Sequence, residues 1–349
     1  MTDKLQSPHA LGDSVPLACL GVGDRLERTL MVRALDRRES SRGSFTIVSF
    51  GDRTGSVDSA PFWSDERRAL EIRPGDIVHL TGRITQYAGR RQLKVTSLVS
   101  AGTDDTDPRR WLPSVADVGP LWNRIDGWRA EIATECLRRV TGLFYDDHGF
   151  RRRYELCPGS TTGHHAELGG LLRHTCEVVS IARAIGRNCG ADLELVVVGA
   201  LLHDIGKLEA YDWRSGFTIT EAGSLVGHVV LGALMISRRL ADEDAPGIDP
   251  AGMAVLLHLL LSHHGTREQG APIPPMTLEA EVLRYADDAS ARTSSMAAAL
   301  SDRGNFDDTA TISRPVWQLD RRRTYRGIID WGRKGSEGTE GGTKNGTAV

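Results

Sequence analysis

Two periodicities divide the chain. From Gly23 to about Ala101, apolar and polar positions alternate in short runs rich in Val, Ile, Leu and Thr, punctuated by Gly and Asp, which predicts β-strands. LERTLMVRALDRRES alternates over its middle, SFTIVSFGD leads into a turn at Asp52-Arg53-Thr54-Gly55, and SVDSAPFW follows. EIRPGD is a turn signal ahead of DIVHLTGRITQYAGR and RQLKVTSLVS, with a hairpin expected at Ala88-Gly89. Five strands in about 80 residues predict a small closed barrel. From Gly127 onward apolar residues recur every three to four positions. GWRAEIATECLRRVTGLFYD, LGGLLRHTCEVVSIARAIG, LELVVVGALLHDIGK, SLVGHVVLGALMISRRLA, MAVLLHLLLSHHG and TLEAEVLRYADDASARTSSMAAAL read as six helices of an all-α domain.

The boundaries follow from the texture between these blocks. Residues 1–22 are polar and mixed, and predict a flexible arm; 23–101 form the barrel. Residues 102–126, acidic with prolines, predict a linker that docks through Trp111 and Trp122. The helical domain runs over 127–312 and a C-terminal extension over 313–349, with disorder expected from about residue 332, where apolar residues vanish.

Composition narrows the classes. A chain of 349 residues exceeds one ordinary core, in keeping with two domains. The net charge of -3 excludes a generic polycation, yet residues 23–101 hold fourteen Arg/Lys against ten Asp/Glu, a local bias towards a phosphate-facing surface. The five cysteines show no C-x-x-C spacing, no apolar core follows the N-terminal charges, and the longest clean apolar run is Leu195 to Leu202. A cytoplasmic protein without a membrane span is expected.

The candidate chemistry lies in the helices. Eight of the eleven histidines fall between positions 164 and 264. Imidazole and carboxylate together suit borderline to hard divalent metals. His174 lies on the apolar stripe of its helix, and His203-Asp204 end a helix so apolar that a buried aspartate there needs a cation or an ion pair, with Lys207 as the rival partner. His228 is flanked by apolar residues, His263-His264 end another apolar helix, and Asp287 is favoured over Asp288 as a ligand on an amphipathic helix. The order H, HD, H, HH, D, one element per helix, resembles the signature of the HD-domain phosphohydrolase superfamily.

The barrel's spacing, with G-D-x-x-G between its second and third strands, resembles the OB-fold, whose second and third strands carry oligonucleotides. Phe45, Phe50, Phe62, Trp63 and Tyr87 are the candidate stacking platforms, Tyr87 the foremost; Arg83, Arg90 and Lys94 are candidate backbone contacts. HHAELGGLLRHT, ALLHDIGKLEAY, GSLVGHVVLG, LSHHG and EAEVLRYADDASA resemble the matching segments of the YhaM-type 3′-5′ exoribonuclease family, which also carries an OB-fold ahead of its HD domain. The resemblance covers about residues 23–312 and an L-D-R-R-x-Y-like stretch at Leu319 to Tyr325.

The resemblance implies one ion on His174, His203, Asp204 and Asp287, with Asp204 bridging to a second on His228, His263 and His264. Manganese is the metal it favours; iron, zinc or magnesium remain open from ligand type. It implies stepwise release of nucleoside monophosphates from single-stranded RNA or DNA; Lys207, three residues after Asp204, is a candidate for stabilising phosphoryl charge, and His164 and His165, about ten residues before His174, are candidates for contacting substrate or lining the entrance. Two departures bear on substrate preference: Pro158-Gly159-Ser160-Thr161 replaces an expected basic run, and Arg173 replaces an acidic residue. The alternative is an HD-type nucleotide or cyclic-dinucleotide phosphohydrolase with a structural or regulatory barrel. The Trp-containing apolar segments are compatible with a homo-oligomer.

Overall fold

The alternating stretch folds into a 6-stranded antiparallel sheet: β1 (Arg25–Ser40), β2 (Gly43–Asp52), β3 (Gly55–Asp58), β4 (Phe62–Trp63), β5 (Ile77–Tyr87) and β6 (Arg90–Ser100). The computed structural model describes residues 15–63, 71–102, 107–163, 165–242, 247–307 and 309–327. The first part of the expected arm and the disorder expected from residue 332 lie outside the described residues.

Strand order is β3-β2-β1-β5-β6, with β4 on β2. A parallel bridge between Ser59 and Leu93, and the Ala60 amide donating to the Leu93 carbonyl at 2.8 Å, join the two ends of that order. The sheet thereby closes into the five-stranded barrel of the OB-fold, β4 being a short addition. Alternation sends Val48 and Phe50 inward with Leu30, Leu80 and Leu93, all fully buried. The β5–β6 hairpin turns on Ala88 (φ 49°) and Gly89 (φ 77°), the left-handed pair of a two-residue turn. The arm's last residues correct the expectation of flexibility: Leu17 and Leu20 are buried in the barrel core, and the Leu17 amide donates to Thr54 Oγ1 at 2.8 Å.

The second block is helical: α1 (Gly119–Ala130), α2 (Glu135–Tyr145), α3 (His148–Tyr154), α4 (Gly170–Cys189), α5 (Leu193–Leu202), α6 (Lys207–Ala210), α7 (Glu221–Val226), α8 (His228–Asp242), α9 (Pro250–Ser262) and α10 (Leu278–Ser301). A small hairpin, β7 (Tyr211–Asp212) with β8 (Thr218–Ile219), interrupts them. α5 is apolar on every side and buried from Val196 to Leu202, so it forms the centre around which the amphipathic α4 and α2 pack.

Two helices expected to be continuous are broken. Between α1 and α2 the chain turns at Glu131–Thr134, where the Glu194 carboxylate accepts the amides of Ala133 and Thr134 at 2.9 Å each. Between α7 and α8, Gly227 takes φ 80°, a conformation only glycine adopts freely. α1 also begins inside the expected linker, and its Trp122 is buried in the helical core with its Nε1 donating to Glu155 Oε1 at 2.8 Å.

The chain divides into two compact units, Met1–Ser295 and Met296–Val349. Barrel and helical bundle share the first because a third apolar cluster joins them: Met31 and Ile77 of the barrel with Leu112, Leu168, Trp213 and Phe217. Arg33, at a bulge in β1, donates to the Asp52 and Trp111 carbonyls at 2.8 Å each. Burial lowers its pKa to about 10 against the opposing charge of Asp52. Among the described residues no helix is long and apolar enough to cross a membrane.

Candidate metal centre

Residues from four helices converge on the end of α5. His203 caps that helix and Asp204 follows it, both buried. His174 comes from the second turn of α4, His228 from the start of α8, His263-His264 from the end of α9, and Asp287 from α10. All seven residues singled out as ligands therefore meet in one place.

The Asp204 carboxylate faces two histidine groups with its two oxygens. Oδ2 lies 3.4 Å from His174 Nε2 and 3.3 Å from His203 Nε2, and Asp287 Oδ1 is 3.0 Å from His174 Nε2. Oδ1 lies 3.3 Å from His228 Nε2 and 3.8 Å from His263 Nε2. His174, His203 and Asp204 form one set whose ligand atoms lie within 4.8 Å of one another; His228, His263 and His264 form another.

The far side of each ring fixes its tautomer. The Nδ1 atoms of His203, His263 and His264 lie 2.8, 2.6 and 3.1 Å from the carbonyls of Ala200, Leu260 and Gln269. A carbonyl only accepts, so Nδ1 carries the proton and the Nε2 lone pair faces the cluster. His174 Nδ1 instead meets Ser290 Oγ at 3.0 Å, and that hydroxyl lies 2.8 Å from Glu177 Oε2.

A cation fits this donor set. Asp204 Oδ1, His228 Nε2 and His263 Nε2 are buried, and among the described residues none has a hydrogen-bond partner. Buried polar atoms are rarely left so, and three acceptors around one point are satisfied by a shared cation. Burial, followed by the neighbouring His264 and His203, holds His263 well below its usual pKa, which keeps its lone pair free. Burial and His228 depress His264 in the same direction. Burial opposes ionisation of Asp204 and Asp287, yet both stay below the carboxylate range: Lys207 and His203 outweigh it at Asp204, His174 at Asp287.

Lys207 does not face water. It is buried, its Nζ 2.6 Å from Asp204 Oδ2 and donating to the Gly159 carbonyl at 2.7 Å. The ion pair set against metal ligation at Asp204 is thus present, but it uses Oδ2 and leaves Oδ1 unpartnered. Gly159 belongs to the departing Pro158–Thr161 run, whose contribution is a backbone carbonyl. Arg173, the other departure, pairs with Glu167 at 2.7 Å.

His165 stands behind the centre rather than at its mouth. Its side chain is buried, with Nε2 3.0 Å from Glu177 Oε2. The reason is Glu177, one turn after His174 on α4, which draws in His165, Ser290 and Ser294 together. His164 lies outside the described residues. Arg83 pairs across strands with Lys94, and Tyr87 with Arg90, so each pair shares an exposed face of the β5–β6 hairpin. Of the five barrel aromatics, Phe50 and Phe62 are core, Tyr87 is 73% exposed, and Phe45 and Trp63 are half-buried partners with ring centroids 5.2 Å apart.

Sequence reasoning missed the outer residues. Ser290 and Glu177 look like ordinary helix-surface positions, and only their spacing from Asp287 and His174 hints otherwise. Tyr145 Oη donates to the Leu201 carbonyl at 2.5 Å and Tyr154 Oη lies 2.8 Å from Thr175 Oγ1, bracing the neighbours of His203 and His174. A cavity of about 180 Å³ opens beside His263, His264 and Asp287, walled by Arg284, Tyr285 and Asp288. Tyr285 is exposed, with the Arg284 guanidinium 4.7 Å from its ring centroid. A larger cavity of about 910 Å³ lies between Met31 and Val99 of the barrel and Leu156 and Trp213 of the bundle, away from the histidines.

Known proteins agree with this arrangement. Residues 171–292 match the family described as HD domain. The chain is 26% identical over 314 residues to the 3′-5′ exoribonuclease YhaM of Bacillus licheniformis, covering 88% of this chain and 96% of the relative. It is 28% identical over 313 residues to the protein of that name from Halalkalibacterium halodurans, covering 87% and 94%. Among solved structures, the HD domain of the L. monocytogenes phosphodiesterase PgpH overlaps 45% of this chain and 76% of its own at 21% identity, with a TM-score of 0.28. A replication protein A heterotrimer bound to single-stranded DNA overlaps 24% and 62% at 24% identity, with a TM-score of 0.19. Residues 171–292 are similar to the HD domain and lie behind an OB-fold barrel, and the chain is similar over most of its length to the 3′-5′ exoribonucleases named YhaM.

Proposed function

We propose that the protein is a metal-dependent 3′-5′ exonuclease that shortens single-stranded RNA, and DNA where its pocket admits it, releasing nucleoside monophosphates. The observation that carries this reading is Asp204, whose two oxygens face two histidine sets while Oδ1 and two imidazole nitrogens have no hydrogen-bond partner among the described residues. His174, His203, Asp204 and Asp287 would hold one divalent ion, and His228, His263 and His264 with Asp204 a second, manganese being the first choice. Bound there, the ions would polarise the scissile phosphate, activate water and offset charge on the leaving oxygen.

The chain's own residues prepare that chemistry. The Nδ1 contacts of His203, His263 and His264 hold each ring with its lone pair inward. Lys207 offsets the Asp204 charge and ties it to Gly159, which keeps the carboxylate from turning. Arg284 and Tyr285 at the cavity wall offer a cation and a flat ring to a terminal nucleotide. The barrel supplies exposed Tyr87 with Arg83, Arg90 and Lys94, and the Phe45–Trp63 pair, to hold the strand. The relatives bear the name 3′-5′ exoribonuclease, which supports the direction and the substrate class.

The test is digestion of 5′-labelled RNA and DNA strands by purified protein loaded with Mn²⁺, Mg²⁺, Zn²⁺ or Fe²⁺, with Asp204→Ala as control. A ladder shortening from the 3′ end and released monophosphates are expected. Strands left intact by protein that hydrolyses free nucleotides or cyclic dinucleotides would replace this reading with the small-molecule alternative.

A further inference from the structure

The second unit carries chemistry that the metal centre does not use. Between Thr309 and Gly327 stand five arginines, Arg314, Arg321, Arg322, Arg323 and Arg326, against one acid, Asp320. The chain here folds back on itself as an irregular hairpin. The Ser313 amide donates to the Thr324 carbonyl at 2.9 Å, Arg326 N to Thr311 O at 2.8 Å, and Val316 N to Arg322 O at 3.0 Å, while Ile312 and Tyr325 form an antiparallel bridge.

Ser313 and Thr324 point inward, and Val316 and Leu319 pack with Ala299. Alternation therefore turns Ile312, Arg314, Arg323 and Tyr325 outward together. Three large side chains of this hairpin and its turn are unusually bare: Trp317 is 76% exposed, Tyr325 57% and Ile312 53%. Asp320 (φ 53°) and Arg321 (φ 61°) are consecutive non-glycine residues in the left-handed region, a costly turn that sets the Arg321 guanidinium 5.5 Å from the Trp317 ring centroid. Arg314 is paired with Asp307 at 3.8 Å and Arg326 lies over Phe306. Among the described residues, Arg321 and Arg323 meet no carboxylate.

We propose that this arginine–aromatic face is a second binding surface for single-stranded nucleic acid, separate from the barrel, with Trp317 and Tyr325 stacking on bases and Arg321 and Arg323 holding phosphates. Flat rings interleaved with unneutralised guanidinium groups suit a polyanion with π-faces, and charge complementarity favours it over an acidic-poor or apolar partner. The inference rests on the reading that the protein acts on single strands and adds contacts to nucleotides other than the reacting one.

The test is fluorescence anisotropy of labelled oligouridylate with the full chain in chelator, so that no strand is cut, across a range of salt. Trp317→Ala with Tyr325→Ala should bind about tenfold more weakly. Arg321→Gln with Arg323→Gln should flatten the dependence of log affinity on log salt by about 0.7 for each arginine removed, while the matching lysine pair restores it. Unchanged affinity and slope in both sets overturn the proposal. So does unchanged affinity with a lower assembly mass by light scattering, which would make the face a contact between copies of this chain. Digestion of the same strand with metal separates the two readings. A wild type that cuts while the variants bind normally defeats only this proposal; weakened variants of a protein that never cuts defeat only the nuclease reading.

Discussion

Ser290 Oγ lies 3.0 Å from His174 Nδ1, so this ring rests on a side chain where His203, His263 and His264 rest on backbone carbonyls. Ser290 gives its proton to Glu177 Oε2 at 2.8 Å, so its lone pair accepts from His174 Nδ1–H and turns Nε2 towards Asp204 and Asp287; against burial, those carboxylates raise the ring's pKa to about 9, and a cation bound there would take the place of the Nε2 proton. Outer partners of this kind usually matter by about 10- to 100-fold in metal affinity. Ser290→Ala should weaken metal binding by that order and Ser290→Thr should retain most of it, measured by titration against a competing chelator. Equal affinity in all three proteins would show that the hydroxyl does not orient the ring.

The unpartnered atoms make metal a structural element as well as a chemical one. Asp204 Oδ1, His228 Nε2 and His263 Nε2 are buried without hydrogen bonds among the described residues, a cost that a bound cation removes. A ligand present at 100 times its Kd adds about 2.7 kcal/mol to folded-state stability. For a unit of this size that corresponds to a rise in Tm of roughly 4–5 °C. Differential scanning fluorimetry with and without Mn²⁺ should show the rise in the wild type, and Asp204→Ala should abolish it. A metal-independent Tm would count against the cation fit.

The convergence of the seven candidate residues was legible because each ends an apolar helix or lies on an apolar helix stripe, where a histidine or aspartate has no ordinary role. The barrel was legible from alternation and from two turns, Asp52–Gly55 and Ala88-Gly89, that demand their residues. Other features depend on partners distant in sequence. The α1–α2 break needs Glu194, some sixty positions away, to cap it. Trp122 looked like a linker residue because its partner Glu155 lies thirty-three positions on. His165 looked like a substrate contact because nothing local reveals that Glu177 folds back onto it. Lys207 follows its helix like a solvent-facing residue, and only the closeness of the Pro158–Thr161 loop shows why it is buried.

Glu194 gives a pH prediction far from the metal. The Thr134 hydroxyl and the amides of Ala133 and Thr134 hydrogen-bond its carboxylate and hold its pKa below the ordinary 4.5. A carboxyl depressed in the folded state contributes stability that is complete above the unfolded value and is lost as pH falls through the folded one. Glu194→Gln should therefore be less stable by about 1 kcal/mol at neutral pH, the usual worth of a helix N-terminal cap. The difference from wild type should shrink as pH drops below 4.5, read from urea midpoints along a pH series. A gap that stays constant into acid would mean that charge at this cap contributes nothing.

Gly206, two residues after Asp204, decides whether the two histidine sets can share that carboxylate. A side-chain carbon on Gly206 would collide with the His228 carbonyl oxygen and the Gly232 amide nitrogen, so α8 packs its first turn directly on the backbone behind the H-D pair. The contact brings His228 Nε2 to 3.3 Å from Asp204 Oδ1. Because the colliding atoms are backbone, neither can swing aside, and Gly206→Ala must push α8 outward and withdraw His228. Overpacking of this sort costs about 1–3 kcal/mol. The variant should therefore melt earlier and, by metal analysis after dialysis, lose the ion proposed for His228, His263 and His264 while keeping the one proposed for His174, His203 and Asp287. A Gly206→Ala protein with wild-type Tm and full metal content would show that the closeness of α8 to α5 is not what assembles the second set.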